Sequence, residues 1–523
     1  MSERSERLFW ALSEIDGQWI DEALPEEGTR RFQWKKWGAI AAGAAAVLAV
    51  AVGVGSFMLP RMGEMNGNSA SPGGGGGAGS DGATTFMSYA GPVFPLTLRE
   101  ADDEISARRE ITFDFAPWAP GGERYSTDVL VTDAYTLTNA SSEDKTVSVF
   151  YPFSGTLREL AERMPTLAAD GAEVDAVLYA GGYSGGFQSP YGDAEEPLLN
   201  LDQLDSWEGY KALLSDGRYQ TSALGEYPDL SGVPVTVYKF YDYYGPEPDS
   251  DAGRPNPSIR AGFDLDYDKT TVLSYGFHGA SFDRENGKMI QEFSIPRPYN
   301  PWYGHPYFLI VIGDDIQNLT TGGYVTGGTD PDVKTLDDAG VRVDRYVSDL
   351  ESALRAAAEL MYGGSEWLRE SGADFELYFG LLKEFIRSYG ILSEEPVERY
   401  HTGWLEELDV ANVDRVFYLE AELTVPAGGS VLLTAEMRKE SSFDFYGARS
   451  ENQGVCGYDM VTTLGSNLIC TEQTAVLFDR GQIEIIRQDF GFDLENGVHR
   501  VTLDPEQEHY YLEVKGREGR FER

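Results

Sequence analysis

The stretch LEAELTVPAGGSVLLTAEM, residues 419–437, is the most informative one about the fold of this chain. Apolar and polar residues alternate strictly from 419 to 425, and apolar residues take every second position again from 431 to 437. A period of two is that of a β-strand that buries one of its faces. The run Pro-Ala-Gly-Gly at 426–429 is typical of a turn. The stretch therefore predicts two successive strands joined by a tight connection.

Other stretches of the same period lie on both sides. Residues 135–139 and 146–151 alternate around a polar, turn-like segment, which predicts a β-hairpin. Further strands are predicted at 174–180, 235–241, 307–312, 475–478, 483–487, 498–503 and 509–514. We therefore expect a β-rich domain over residues 86–332, and over residues 409–523 a C-terminal β-sandwich of the jelly-roll or immunoglobulin-like sort.

Between these two domains the period changes to that of a helix. One helical face is formed by Val343, Val347, Leu350, Leu354 and Met361, and it ends at two glycines. A second helical face is formed by Tyr378, Leu382, Phe385 and Tyr389. The expected fold class is thus mainly β with α (α+β), with β-sandwich-like regions separated by a small helical segment at 333–408.

Residues 37–59 form a run of 23 residues without a charge, long enough as a helix to cross a hydrocarbon core of about 30 Å. Arg30, Arg31, Lys35 and Lys36 precede this run, whereas Arg61 alone follows it closely. An excess of basic residues on one side places that side in the cytosol. We therefore predict a single-pass cell-membrane protein with an N-terminal transmembrane helix, a cytosolic segment at 1–36 and an extracytoplasmic body.

Two other interpretations of the apolar run stay open. A cleaved signal peptide has an apolar core of about 7 to 15 residues behind a short basic start, whereas 36 residues come first here. A buried core helix seldom lacks polar residues over such a length. Both fit the sequence less well than an uncleaved anchor.

The predicted cytosolic segment contains an apolar stripe, because Leu8, Leu12, Ile15 and Trp19 recur at helical spacing. So short a helix is unstable alone in water and needs a partner or a surface. Docking onto a cytosolic protein is one explanation of the stripe. A frayed tail in which the spacing arose by chance is the other.

The N-terminal region also resembles a known group of proteins. The resemblance rests on Leu8, Ala11, Leu12, Ile15, Asp16, Ile20, Glu22, Ala23, Lys36, Trp37, Gly38, Ala39 and Ile40. These residues are similar to the opening of uncharacterised single-pass membrane proteins of Gram-positive bacteria, some of them anti-sigma-factor-like. The resemblance implies a short cytosolic segment, one transmembrane helix and a variable outer domain. The zinc-binding His and Cys cluster of many anti-sigma factors does not precede the predicted helix here.

The linker and the overall charge restrict the partners. Residues 60–85 are Gly/Ser-rich, with five consecutive glycines, a composition that behaves as a flexible coil. The chain has 42 Lys and Arg against 86 Asp and Glu, a net charge of −44. Because nucleic acids are bound through basic side chains, we expect no nucleic-acid partner. The expected partners are the lipid bilayer, through residues 37–59, and a cytosolic protein.

Cys456 and Cys470 are the two cysteines of the chain. With 13 residues between them, a disulfide would stabilise the fold by about 3 kcal/mol, and an oxidising exterior permits it. Two thiols are the alternative. A zinc site is not expected, because the cysteines have no paired His or CxxC spacing to complete four ligands.

Catalytic and metal-binding motifs are weak. Ser184 lies in a formal G-x-S-x-G, but the residues after it have the composition of a loop, not of the helix that a nucleophile elbow requires. Asp264, Asp266 and Asp268 have the spacing of the first EF-hand ligands, but Lys269 stands where glycine is needed. We therefore predict no catalytic residue, no bound metal and no cofactor.

Aromatic residues cluster in the middle of the chain, at Tyr238, Tyr241, Tyr243, Tyr244, Trp302, Tyr303 and Tyr307. They would serve either as a surface for glycans and peptides or as core packing. The sequence thus favours a membrane-anchored extracytoplasmic binding or sensing protein of unknown ligand. The alternatives are a surface hydrolase that acts on wall glycan and a structural surface protein.

Overall fold

The computed structural model of the chain describes residues 88–119, 126–183, 218–249, 253–298, 303–325, 334–388, 392, 404–408, 410–413, 415–444, 454–504 and 506–517. Strands make up 50% and helices 14% of the structure, which confirms a mainly β fold that also contains helices. The predicted cytosolic segment, transmembrane helix and linker lie outside the described residues. Within the ranges given above, no helix is both long and apolar enough to cross a membrane.

The first part of the described chain is almost entirely strand. Its strands are β1 (Ser88–Tyr89), β2 (Thr97–Leu98), β3 (Ile105–Asp114), β4 (Val129–Asn139), β5 (Lys145–Gly155), β6 (Thr166–Ala169), β7 (Ala172–Glu173) and β8 (Val177–Tyr183). A 3₁₀ turn (Leu157–Glu159) and a short helix α1 (Leu160–Arg163) follow β5.

The middle of the chain begins with a short helix, continues as strands and ends in helices. The first helix is α2 (Arg218–Ala223). The strands are β9 (Pro234–Tyr244), β10 (Ser258–Asp264), β11 (Thr270–Tyr275), β12 (Gly279–Asp283), β13 (Lys288–Ser294), β14 (Tyr307–Gly313), β15 (Gln317–Tyr324), β16 (Thr335–Leu336) and β17 (Gly340–Asp349). The last helices are α3 (Leu350–Gly364), α4 (Glu366–Glu370) and α5 (Phe375–Ser388).

The last part is β again, after two 3₁₀ turns (Leu405–Glu407 and Val410–Asn412). Its strands are β18 (Arg415–Val425), β19 (Ser430–Lys439), β20 (Phe443–Asp444), β21 (Cys456–Val461), β22 (Ile469–Phe478), β23 (Ile483–Gln488), β24 (Arg500–Thr502) and β25 (His509–Gly516). Burial alternates along β18 from Leu419 to Val425 and along β19, as the alternation of apolar residues at 419–425 and 431–437 predicts.

Strands from the two ends of the chain combine into three sheets. Sheet I has the order β24-β22-β3-β4-β19-β6-β7, sheet II the order β2-β5-β18-β8, and sheet III the order β1-β20-β21-β25-β23. Apolar side chains of all three sheets belong to one core, which includes Leu137 of sheet I, Phe417 of sheet II and Leu512 of sheet III. The chain ends therefore build a common body.

The middle strands form two sheets of their own. Sheet IV has the order β11-β14-β9-β17 and sheet V the order β12-β13-β10-β15-β16. One face of sheet IV joins the body core through Val235 and Val237, while Phe240 and Leu309 point into a second core shared with sheet V. The middle of the chain is thus an insert between the two halves of the body.

The predicted hairpin at 135–151 is wrong in its pairing. Both strands exist, but β4 pairs with β3 and β19 in sheet I, whereas β5 pairs with β2 and β18 in sheet II. The polar connection carries the chain from one sheet to the other. The connection at 426–429 makes the reverse crossing beside it, where the Asn139 side-chain amide donates to Val425 O at 3.0 Å. Long-range pairing, which no local pattern reports, decides the partner here.

The predicted helix that begins near Val343 is also wrong at its start. Residues 340–349 form β17 and pair with β9, and helix α3 begins only at Leu350, where the Asp349 carboxylate accepts from the Ser352 backbone N–H at 2.8 Å. Val341 and Val343 pack against the insert core and alternate with polar neighbours, so the period of two prevails over the helical spacing. The second predicted helix corresponds to α5.

The predicted boundary at 409 does not separate two independent domains, because both large sheets cross it. In sheet II, β18 pairs with β5 over its whole length, and in sheet I, β19 pairs with β4. The C-terminal strands therefore need the strands of residues 105–155 as partners, which the sequence does not reveal.

A charged pair lies at the centre of the body. Arg109 of β3 and Asp133 of β4 form a bidentate pair, with Nε to Oδ1 and Nη2 to Oδ2 distances of 2.8 Å each. Both side chains are buried. The Tyr135 and Tyr151 hydroxyls donate to Asp133 Oδ2 at 3.0 and 3.3 Å, and burial raises the pKa of both tyrosines well above the ordinary value. The pair thus has hydrogen-bond partners inside the core, as buried charges require.

The same arginine joins distant parts of the chain. Its Nη1 donates to Val461 O of β21 at 2.7 Å, and its Nη2 donates to Phe94 O at 3.3 Å. Tyr151 comes from sheet II and Val461 from sheet III, so one guanidinium and its carboxylate connect sheets I, II and III with the N-terminal segment.

We predict that Arg109→Met destabilises the protein by about 3 to 5 kcal/mol, because it leaves the Asp133 carboxylate buried without its cation. The double variant Arg109→Met/Asp133→Leu should recover part of this loss. Urea unfolding of the variants measures both effects. Arg108→Met is the matched control, since the neighbouring Arg108 side chain is 68% exposed and should cost less than about 0.5 kcal/mol. Equal losses for the two arginines would refute the central role of the pair.

Candidate functional site

Residues 90–98, which we call the strap, run through the body as an extended segment. Residues 91–98 are all buried. The strap lies beside β21, because the Val93 N–H donates to Asp459 O and the Val461 N–H donates to Val93 O, both at 2.9 Å. Pro92 and Pro95 lack an N–H, so a longer ladder cannot form along the strap. Side chains of the body therefore hold much of its backbone.

Several side-chain donors bind the carbonyl groups of the strap. Lys439 Nζ donates to Gly91 O at 2.7 Å, and Ser466 Oγ donates to Leu96 O at 2.6 Å. The Asn467 side chain accepts from the Leu98 N–H and donates to Leu98 O, each at 2.9 Å. These bonds satisfy polar backbone groups that would otherwise be costly to bury.

Lys439 is the unusual member of this set. It is 8% exposed and occupies the last, inward-facing position of β19. Burial lowers the pKa of its amine, an effect that the neighbouring carboxylates of Asp459 and Glu440 partly oppose. Asp459 also lies 2.8 Å from His509 Nε2 through its Oδ2 atom. A buried amine thus sits among titratable groups at the edge of the strap.

A narrow cleft opens between the strap and two long strands. Its walls are residues 90 and 92–94 of the strap, residues 152–155 of β5, and residues 437–439 of β19 with Glu440 directly after that strand. Its empty volume, open mouth included, is about 480 Å³. The floor contains apolar side chains such as Phe94 and Phe153, and Glu159 and Arg163 complete the lining. A cleft so narrow suits one side chain or end group of an extended ligand.

Both signs of charge occur around the cleft. Arg163 Nη1 lies 3.1 Å from Glu440 Oε1, and the Nε and Nη2 atoms of the same guanidinium lie within ion-pair distance of Glu159 and Asp128. Arg438 Nε donates to Asp128 Oδ2 at 2.7 Å. An apolar floor with paired charges at the rim can orient a ligand that has an apolar group and both a donor and an acceptor.

The two cysteines lie in different sheets, and the structure contains them without a disulfide between them. Cys456 is buried in β21 of sheet III, where it pairs with Val514. Cys470 lies in β22 of sheet I, where it pairs with Ala107 and its Sγ contacts Glu472 O at 3.6 Å. Burial raises the pKa of the Cys470 thiol.

The other motifs do not come together into a site. Ser184 lies outside the described residues. Asp264 accepts from Asn318 at 2.7 Å and Asp266 pairs with Lys269 at 2.6 Å, so these two carboxylates have different partners. In the described part of the chain, no group of three or more His, Cys, Asp or Glu side chains is arranged to hold a metal ion.

The aromatic set divides between core and surface. Tyr238 and Tyr307 are buried in the insert core and Tyr243 packs against it, whereas Tyr244 and Tyr303 are exposed. Trp302 lies outside the described residues. Core packing therefore applies to Tyr238, Tyr243 and Tyr307, and the exposed Tyr244 and Tyr303 stay candidates for a binding surface.

Hydrophobic periodicity alone does not single out Lys439 and Arg109, but the sequence contains a signal for both. Lys439 follows Met437 by two positions, and Arg109 lies two positions from both Ala107 and Ile111, so each charge falls on the inward face of its strand. A charge at such a position requires a buried partner. It therefore marks a polar centre in the core.

Comparison with known proteins adds no family. No protein-family model matches the chain, and no curated protein has a significant similarity to it. The function must therefore be inferred from the residues themselves.

We predict that Lys439→Met speeds amide hydrogen exchange at residues 90–94 by about tenfold or more, since it leaves Gly91 O buried without its donor. Hydrogen–deuterium exchange with mass spectrometry measures this. Arg438→Met is the control, because Arg438 is the adjacent residue, its side chain is 51% exposed, and it pairs with Asp128 outside the strap. Unchanged exchange in Lys439→Met would show that the amine does not hold the strap.

Proposed function

We propose that this protein is a single-pass, membrane-anchored binding or sensing protein whose β-rich body lies outside the cytoplasm. The anchor is the uncharged run at 37–59, and the basic residues before it support a cytosolic N-terminus. This architecture is that of the single-pass proteins which the N-terminal segment resembles. The bilayer and a cytosolic protein that docks on the stripe of Leu8, Leu12 and Ile15 are the proposed partners.

One observation favours a binding or sensing role over a hydrolase or a structural protein: the strap forms one wall of the cleft. The Gly/Ser-rich linker at 60–85 leads from the proposed anchor toward the strap. A ligand in the cleft would therefore contact Val93 and Phe94 on one side and the central strands β5 and β19 on the other. Binding would thus reach the segment that leads back to the membrane.

The membrane topology provides the first test of this proposal. A protease applied to intact cells should remove the body and leave a membrane-bound stub that bears the N-terminus, because the Gly/Ser-rich composition of residues 60–85 is that of a flexible coil. Immunoblots against tags at the two termini distinguish the fragments. Protection of the body in intact cells, with cleavage only after lysis, would contradict the proposed orientation.

The second test of this proposal is a variant that fills the cleft, which should abolish ligand binding. Gly155 lines the cleft, and a Cβ at this position would meet no atom within 4 Å, so a side chain can start there without a clash, and the Gly155→Phe variant is chosen to fill the cleft. We expect tripeptides with a central Phe, Leu, Lys or Glu to raise the melting temperature of the wild-type protein, with a preference among them. The Gly155→Phe variant should lose that shift.

Gly232→Phe is the matched control, because Gly232 also has open space at its Cβ but lies outside the cleft. It should keep the wild-type response. An equal shift in Gly155→Phe would place binding elsewhere, and turnover of a wall-glycan fragment in the same assay would favour the hydrolase.

A further inference from the structure

A second surface on the insert has the features of a ligand platform. We call it the tyrosine face, and it consists of Lys239, Tyr241 and Tyr244 of β9 with Gly340, Arg342, Asp344 and Tyr346 of β17. It is one half of a face of sheet IV. The other half carries Val235 and Val237, which helix α3 covers and which belong to the body core.

A β-bulge brings the two tyrosines of β9 to the same face. Arg342 pairs with Tyr241 and Gly340 pairs with Tyr244, so β9 uses three steps where β17 uses two. Asp242 lies within the bulge and has a φ of 50°. Without the extra residue, Tyr241 and Tyr244 would point to opposite faces. Bulges are often found where a strand must redirect a side chain at a binding surface.

The ring of Tyr244 lies across a glycine. A Cβ at Gly340 would fall 2.7 Å from Tyr244 Oη and 2.9 Å from Cζ, so only glycine leaves space for the ring in this position. Tyr244 is nevertheless 57% exposed. The ring is therefore supported from below by the sheet and open to solvent on its other side.

Polar groups surround the neighbouring ring. The Arg342 guanidinium lies over Tyr241 at 5.1 Å from the ring centroid, and Lys239 Nζ lies at 5.9 Å. A hydrogen bond with Asp344 raises the pKa of the Tyr241 hydroxyl. Arg342 also pairs with Asp242 at 3.2 Å. Exposed donors and acceptors thus stand next to the open Tyr244 ring.

We propose that the tyrosine face binds a neutral glycan chain, independently of the cleft. A pyranose ring has an apolar C–H face, which stacks on an aromatic ring, and an edge of hydroxyls, which donate to carboxylates and accept from guanidinium and ammonium groups. The tyrosine face offers both kinds of contact side by side. A chain of like sugars can repeat the contact along the strand, whose residues rise by about 3.3 Å each.

The size of the tyrosine face argues against a protein partner, and the charge of the chain argues against an anionic polymer. A stable protein interface buries about 1,200 Å² or more, whereas this face is two strands wide and is limited by helix α3. An anionic polymer would meet the field of a chain with a net charge of −44. A neutral glycan faces neither obstacle.

Affinity electrophoresis of the full chain in native gels tests this proposal, with a soluble neutral β-glucan or hydroxyethyl cellulose in the gel matrix. We expect these polysaccharides to retard the wild-type protein and the retardation to persist in added salt. Tyr244→Ala should weaken the apparent affinity by about tenfold. Gly340→Ala, which keeps the tyrosine but displaces its ring, should weaken it as well.

Tyr303→Ala is the control, because Tyr303 is 53% exposed and lies next to Tyr243, which packs on the opposite, core-facing side. This variant should behave as wild type. The proposal fails if neither neutral polysaccharide retards the protein, or if Tyr303→Ala weakens binding as much as Tyr244→Ala. It also fails if only an anionic polygalacturonate retards the protein and salt abolishes the effect.

Discussion

The buried pair of Arg109 and Asp133 is the interaction on which the body depends. Removing two charges from water costs several kcal/mol for each ion, and the attraction between them offsets this cost only if the remaining donors and acceptors are satisfied. Here the partners come from four places: two neighbouring strands of sheet I, Tyr151 of sheet II, Val461 of sheet III and Phe94 of the strap. The pair therefore has its full set of hydrogen-bond partners only when all of these have assembled.

This requirement explains why the chain folds as a body with an insert. The strands of residues 105–155 supply the ion pair, but the carbonyl of Val461 lies far along the chain and must return to it. Sheets I and II close by pairing β4 with β19 and β5 with β18, so the chain between β8 and β18 is left to form its own sheets outside that closure. Helices α3 and α5 contribute Leu354 and Leu382 to the body core, which attaches the insert to it.

Local patterns predict the strands and much of the helical segment, but not their partners. The alternation at 419–425 fixes which side chains of β18 face inward, yet nothing in it distinguishes β5 from any other strand as its neighbour. At 135–151 a polar turn between two strands suggests a hairpin, while the two strands instead pair with β19 and β18, about 260 to 310 residues later in sequence. At Val343 and Val347 two periods are present at once, and only the pairing with β9 decides between them. The candidate sites follow the same rule, because Gly340 and Tyr244 or Gly91 and Lys439 become neighbours only after the sheets have formed.

The contacts of the strap limit which of its residues could move when a ligand binds in the cleft. A ligand shifts a conformational equilibrium only by the difference between its affinities for two states, so the strap would need two positions that differ in their contact with the cleft. The C-terminal end of the strap is held at Leu96 and Leu98 by Ser466 and Asn467, away from the cleft. The end that borders the cleft is held through Gly91 by the amine of Lys439, whose pKa is lowered by burial. Any ligand-dependent movement would therefore involve residues 90–94, where the bond from Lys439 to Gly91 and the two backbone bonds of Val93 are among the contacts that would have to change.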